Sequence, residues 1–293
     1  MSKEEESRRG GNAAIIELTE YTDPYCTWCW GSEPILRRIR ETYGNQIRIG
    51  FRMGGLVEDI GNFYDPSNRI GGPNWYKQVA AHWLDASQMH GMPVDEGVFY
   101  ELKDEMRSTF PASIAYKAAE FQSVELAQRF LRRMREGAAA ERRPIHRLDV
   151  QAELAEEVGL DRNQLLSDIE NGKGKRAFLE DLREARSGGI TGFPTFLIRN
   201  RVGEELIIYG YHGFEAFERA FQRLATDKLV PTHLEPTDEN ILGFIRRYGK
   251  VAPREVAEVF NIPGESARES LRRLKSEALV KEVKVGNGFF YMA

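Results

Sequence analysis

The chain has 293 residues, 41% hydrophobic and 29% charged, with a formal net charge of −4. That length suggests two domains, or one with a large insertion, and the apolar share suffices for a packed core. The balanced charge argues against an obligate nucleic-acid binder, and no apolar run approaches the roughly 20 residues that span a bilayer.

Residues 1–12 are polar, lack the apolar segment of a secretory signal, and read as a disordered leader. Ala13 to Thr19 reads as a strand. The only two cysteines follow, in Tyr25-Cys26-Thr27-Trp28-Cys29-Trp30. Trp30 to Ile39 then reads as a helix, with Ile35, Leu36 and Ile39 on one face and a kink expected at Pro34. The cysteine pair therefore sits where a strand hands over to a helix. The partial positive charge of a helix start stabilises a thiolate, which is the redox reading of this spacing. A structural zinc site needs four ligands, and His82, His90, His146, His212 and His233 are scattered, so no metal is expected. Two cysteines in one motif, with none left for structural disulfides, fit a reducing, cytoplasmic setting.

Ile47 to Met53 reads as a second strand, completing a βαβ unit whose strands should be parallel. Gly54-Gly55 ends it. Residues 57–187 read as an inserted helical subdomain, opening with an irregular loop over Asp59 to Pro73. Helices are expected at Trp75 to Met89, Pro111 to Phe121, Val124 to Glu136, Asp149 to Val158, Asp161 to Glu170 and Lys175 to Ser187. Asp161 and Gln164 resemble a capping box. Strands return at Gly189 to Arg199 and Glu205 to Tyr209 as a hairpin. Phe193-Pro194 stands out, because a proline there belongs at a strand start, and a cis bond would bring a rigid bend toward the cysteines. An amphipathic helix spans Phe214 to Ala225. The strand-bearing parts on either side of the insertion are thus residues 13–56 and 188–226.

Thr226 to Pro236 reads as a linker. Residues 236–293 carry three short helices and a Gly286-Asn287-Gly288 hairpin, which together resemble a winged helix. Its cations, Arg268, Arg272, Arg273, Lys275, Lys281 and Lys284, alternate with Glu265, Glu269, Glu277 and Glu282. That mixture favours a packing or dimerisation module over a DNA-binding face.

The strand into Cys26-Thr27-Trp28-Cys29, the helix with Pro34 and the returning Gly189-Ile-Thr-Gly-Phe-Pro-Thr-Phe196 resemble the DsbA branch of the thioredoxin superfamily. The details around Asp23-Pro24 and Trp30-Gly-Ser-Glu-Pro34 are most similar to its cytoplasmic, FrnE-like members. The resemblance implies an α/β thioredoxin fold with a large helical insertion, here followed by a small winged-helix-like domain. It implies an attacking, more exposed Cys26, a resolving, buried Cys29, a cis Pro194 facing the disulfide, and Phe193 lining the substrate groove. The dipeptide Thr27-Trp28 carries no cation, which argues against a strong oxidant.

The function expected is protein thiol–disulfide oxidoreduction or isomerisation, with no metal or organic cofactor and glutathione as a co-substrate at most. Expected partners are protein thiols and disulfides and a recycling thiol such as glutathione or thioredoxin. No membrane partner is expected, and a homodimer stays open. Trp28 is expected to be exposed and to contact substrate, and Trp30 is either core or part of that surface. Asp23 is a candidate to take the proton of Cys29; the alternative is a turn former beside a helix start. Glu33 reads as a first-turn helix charge. Three rivals remain: a glutathione-dependent isomerase or transferase of the kappa-like group, a non-catalytic protease adaptor on the same fold, and a redox-sensing DNA binder.

Overall fold

The computed structural model describes residues 14–293; the expected leader over residues 1–12 lies outside them. Strand β1 (Ile16–Thr22) pairs in parallel with β2 (Ile47–Met53), from Ile16 opposite Ile47 to Thr22 opposite Met53. That register carries β1 three residues past the expected end at Thr19, to the edge of the Asp23-Pro24 turn. Helix α1 (Thr27–Tyr43) connects them and starts directly after Cys26. It buries Ile35, Leu36, Ile39 and Tyr43 along one stripe and Trp30 on another side, so the helix is enclosed on most of its surface. Strands β5 (Thr195–Asn200) and β6 (Glu205–Tyr209) complete a sheet in the order β2-β1-β5-β6, both new pairings antiparallel. β5 starts after Pro194, later than the pattern predicts, because the residues before it form the bend that carries the proline.

Side chains alternate across β1, which decides what reaches the cysteines. Leu18 shares the main core with Ile35 and Leu36 of α1. Glu20 and Thr22 point the same way as Leu18. Tyr21 points to the other face, where its hydroxyl donates to Glu184 at 2.7 Å.

Between the sheet halves lie a two-residue hairpin, β3 (Tyr64–Asp65) with β4 (Ile70–Gly71), and helices α2 (Trp75–His90), α3 (Gly97–Leu102), α4 (Phe110–Glu120), α5 (Val124–Ala140), α6 (Leu148–Glu157), α7 (Arg162–Glu170) and α8 (Lys173–Ser187). The hairpin corrects the expectation of a wholly irregular loop there. Its turn is held by Asp65, whose Oδ1 accepts from the Ser67 and Asn68 amides at 2.9 and 3.1 Å. The capping box at α7 is half made. Asp161 Oδ1 accepts from the Gln164 amide at 2.9 Å, but the Gln164 side chain turns to Asp168 instead, also at 2.9 Å.

After α9 (Phe214–Leu224), which packs against β5 and β6, come α10 (Asp238–Tyr248), β7 (Lys250–Val251), α11 (Pro253–Val259), α12 (Gly264–Ser276), β8 (Lys281–Val285) and β9 (Gly288–Met292). The three strands form an antiparallel sheet in the order β7-β9-β8, a winged-helix arrangement. Helix α11 lies along α1. The wing tip is seated against the loop after α2. The Asn287 amide donates to Val94 O and the Val94 amide to Asn287 Oδ1, both at 2.9 Å, while Asn287 Nδ2 donates to Ser87 Oγ at 3.0 Å. A Cβ on Gly286, whose φ is +42°, would stand 2.0 Å from Val94 O, so only glycine fits this approach. Phe290 of β9 meets Trp30 of α1 edge-on at 6.2 Å, which places Trp30 in the core.

Candidate functional site: a cysteine pair at a helix start

Cys26 is the N-cap of α1, with extended backbone (φ −77°, ψ 114°). Its sulfur accepts from the Cys29 amide at 3.3 Å, taking the place of the side-chain oxygen that usually caps a helix. The Cys26 amide donates to Asp23 O at 3.0 Å, so the preceding turn fixes where the helix begins. The thiol of Cys26 donates to Phe193 O at 3.5 Å, across the gap between the helix start and the loop entering β5. The Phe193–Pro194 bond in that loop is cis.

Both cysteines are free thiols. Cys26 retains 5% exposure and Cys29 none, so Cys26 is the more accessible sulfur, though only narrowly. Burial, then the adjoining Cys26 sulfur, pushes the Cys29 thiol well above its ordinary range.

A cleft of about 600 Å³ opens beside Cys26. Tyr25, Trp28 and Phe193 line it from the thioredoxin side, and Trp75, His82 and Trp83 from α2. Its charged residues are Asp65 and Arg186, and Arg186 pairs with Glu58 at 3.6 Å. Trp28 is half-buried rather than exposed, because its ring is walled in by His82, His90 and Tyr211 at centroid distances of 6.1, 6.0 and 5.8 Å. The Phe193 ring lies over Gly54, where a Cβ would stand 2.0 Å from it. Gly54 thus provides the space that Phe193 uses at the cleft wall. A second cleft, lined by Glu17, Arg48 and Arg199, touches neither cysteine.

Asp23 is fully buried and well supplied with donors. Oδ1 accepts from the Tyr25 amide, and Oδ2 from the Leu56 amide and Thr109 Oγ1, each at 2.9 Å, with Ser113 Oγ at 3.3 Å. Burial raises its pKa against these bonds. None of them reaches a cysteine. Asp23 ties the turn before Cys26 to the end of β2 and to α4, the geometry of a turn former.

Sequence reasoning passed over a second carboxyl. Glu20 of β1 is fully buried on the face toward α1, and burial raises its pKa while Arg135 opposes this. Its charge and that of Arg135 both act on Cys29, Glu20 disfavouring the thiolate and Arg135 favouring it. Arg135 of α5, itself wholly buried, reaches Glu20 Oε1 at 3.1 Å, Glu33 Oε1 at 2.5 Å and Thr22 Oγ1. Glu20 Oε2 is left without a hydrogen-bond partner. Glu33 is therefore no solvated first-turn charge. Burial alone would raise it, but Arg135, Arg132 and Arg37 bring its pKa down to about 2. The available signal was strand period, since an acid two residues after Leu18 shares the core face.

A family model described as Thioredoxin matches residues 20–219. Among curated proteins, the ClpXP adapter protein SpxH of Halalkalibacterium halodurans is 28% identical over 94% of this chain and 89% of its own. The protein of the same name from Bacillus subtilis is 23% identical over 94% and 88%. Among solved structures, the cytosolic disulfide reductase DsbM from Pseudomonas aeruginosa superposes with a TM-score of 0.56 at 24% identity, covering 71% of this chain and 98% of that one. At that identity the likeness establishes a shared fold. With a cysteine pair at the start of α1, Cys26 facing the cis-proline loop, and a family model matched over more than half of its length, the chain belongs to the thioredoxin family.

Proposed function

We propose that this chain is a cytoplasmic thiol–disulfide exchange protein whose reactive pair is Cys26 and Cys29. The observation that carries this reading is the capping geometry. The Cys26 sulfur caps the N-terminus of a 17-residue helix, accepts a hydrogen bond from the Cys29 amide at 3.3 Å, and is the more exposed of the two sulfurs. The Cys26 thiolate attacks one sulfur of a substrate disulfide. A mixed disulfide forms and the substrate's other sulfur leaves as a thiolate. Cys29 then loses its proton and attacks Cys26, closing the intramolecular disulfide and releasing the second substrate thiolate. Glu20, buried, with its charge acting on Cys29 and one oxygen unbonded, is the group we assign to receive that proton. Pro194 keeps the opposing loop in place, and Phe193 and Trp28 hold the substrate. The cleft, mostly apolar with one charge of each sign at Asp65 and Arg186, favours a polypeptide with an apolar residue beside its cysteine. A recycling thiol such as glutathione or a thioredoxin-type protein returns the pair to the dithiol.

The test is trapping. Cys29→Ala should accumulate a mixed disulfide at Cys26 with a reduced-and-reoxidised protein substrate, and Cys26→Ala should not. Equal trapping by both variants, or by neither, contradicts the assignment.

A second reading has its own support. The relatives named as ClpXP adapters match over 94% of the chain, whereas the thioredoxin match ends at residue 219. The similarity to adapters therefore extends into the C-terminal unit. On this reading the chain binds a protein and presents it to the protease. If the double variant Cys26→Ser/Cys29→Ser fully retains delivery of a client to ClpXP, the cysteines are dispensable to that role.

A further inference from the structure

The C-terminal unit meets the cysteine helix through ions, not only through apolar packing. Glu255 of α11 has 0% side-chain exposure and serves two guanidiniums. Arg37, on α1 itself, lies 2.7 Å from Glu255 Oε1 and is 4% exposed. Arg132 of α5 grips the same carboxylate with both terminal nitrogens, at 2.8 and 3.2 Å. From Arg132 the chain of charges continues to Glu33 at 3.6 Å, from Glu33 to Arg135 at 2.5 Å, and from Arg135 to Glu20 at 3.1 Å. Glu20 and Arg135 are the charges that act on Cys29. Glu136, at 2.7 Å from Arg132, and Lys250, at 3.6 Å from Glu136, flank the chain. The chain runs without a break from the winged unit to the floor beneath the cysteines.

We infer that Glu255 is a positioning residue for the cysteine pair: it neutralises the Arg37–Arg132 end of the buried ion chain and thereby sets the charge balance under Cys29. The inference rests on the exchange reading above. Buried charges are weakly screened, so a change of one charge at one end is felt along the chain. Removing the Glu255 carboxylate leaves Arg37 and Arg132 facing each other without their shared anion. The surroundings of the pair become more positive, which stabilises the thiolate and hence the reduced form. The pair then becomes a stronger oxidant. Removing the Arg37 guanidinium acts in the opposite sense. Removing both restores the balance.

The experiment equilibrates the full-length protein with glutathione buffers. Enzyme dithiol plus glutathione disulfide gives enzyme disulfide plus two glutathione thiols, and the pair's state is read by mass after alkylation. Glu255→Gln should shift the equilibrium constant on the order of tenfold toward the dithiol, about 30 mV for a two-electron couple. Arg37→Gln should shift it toward the disulfide, and Arg37→Gln/Glu255→Gln should lie near wild type. Glu258→Gln is the control for docking alone. It lies on the same helix and pairs with Arg38 at 3.0 Å, outside the chain, and should leave the equilibrium unmoved. Equal constants for wild type and both single variants would overturn the inference, as would shifts of the same sign. Should Glu255→Gln fail to fold, Arg37→Gln and the double variant still decide it by their order. A wild-type pair that does not equilibrate at all sinks the exchange reading instead.

Discussion

The two sides of the cysteine helix are built from opposite materials. On the side of Cys26 lies a mostly apolar cleft, walled by Trp28, Trp75, Trp83 and Phe193. From Glu20 and Arg135, whose charges act on Cys29, a chain of buried ions runs through Glu33 and Arg132 to Glu255 and Arg37. Apolar walls select by shape and tolerate varied partners. Buried ions are costly to break singly and fix the local charge. On the proposed exchange reading, the contrast assigns recognition to one side and control of reactivity to the other.

Variants that break only one side sharpen this comparison. The largest effect is expected from Arg135→Met, which strands Glu20 and Glu33 without their shared cation. Breaking a buried pair by removing one partner costs about 3–5 kcal/mol, and denaturant unfolding should show a loss of that size. A loss under about 1 kcal/mol would mean the ions are far better hydrated than their burial implies.

Next is a pH effect at His90, whose ring meets Trp28 edge-on at 6.0 Å. The Met92 amide donates to His90 Nδ1 at 3.1 Å, so the ring proton sits on Nε2, facing Thr27 Oγ1 at 3.4 Å. Burial, then Arg254, lowers the His90 pKa to about 4 from an ordinary 6.5. Between these values the unfolded chain binds a proton that the folded chain does not. Stability should therefore fall as pH drops from 6.5 to 4, by on the order of 3 kcal/mol. His90→Gln should flatten that slope; an unchanged slope would assign it to other groups.

The smallest effect is expected away from both sides, at the wing tip. Asn287→Ala removes two side-chain hydrogen bonds, to Val94 and Ser87, and should cost about 1–2 kcal/mol without altering exchange kinetics. Exchange slowed in proportion to stability would show that the wing contact also shapes the site.

Local chemistry was legible in the sequence. The cysteine spacing, the helix after it, Pro194 at a strand start and the hairpin of β5 and β6 all announce themselves within a few residues. What the sequence hid depends on distant partners. Glu20 looks like any strand acid until Arg135 arrives from the helical insertion, and Glu33 looks solvated until three arginines surround it. Trp28 reads as exposed because α2 and Tyr211, which enclose it, are remote in the chain. The hairpin of β3 and β4 is too short for alternation to reveal. The C-terminal unit was legible as three helices and a wing, but not as a brace on α1. Its exposed cations Arg268, Arg272, Arg273 and Lys275 each pair with an acid, at 2.9, 3.0, 2.9 and 2.6 Å, while its buried Glu255 makes the contact that reaches the site.

The central claim is that Cys26 attacks and Cys29 resolves. The most direct measurement is the reaction of the reduced protein with an aromatic disulfide reagent, following released thiolate and protein mass together. Wild type should release two thiolates and end as an intramolecular disulfide. Cys29→Ala should release one and retain the adduct on Cys26, and Cys26→Ala should react orders of magnitude more slowly. A Cys26→Ala variant that reacts as fast as Cys29→Ala would contradict the account.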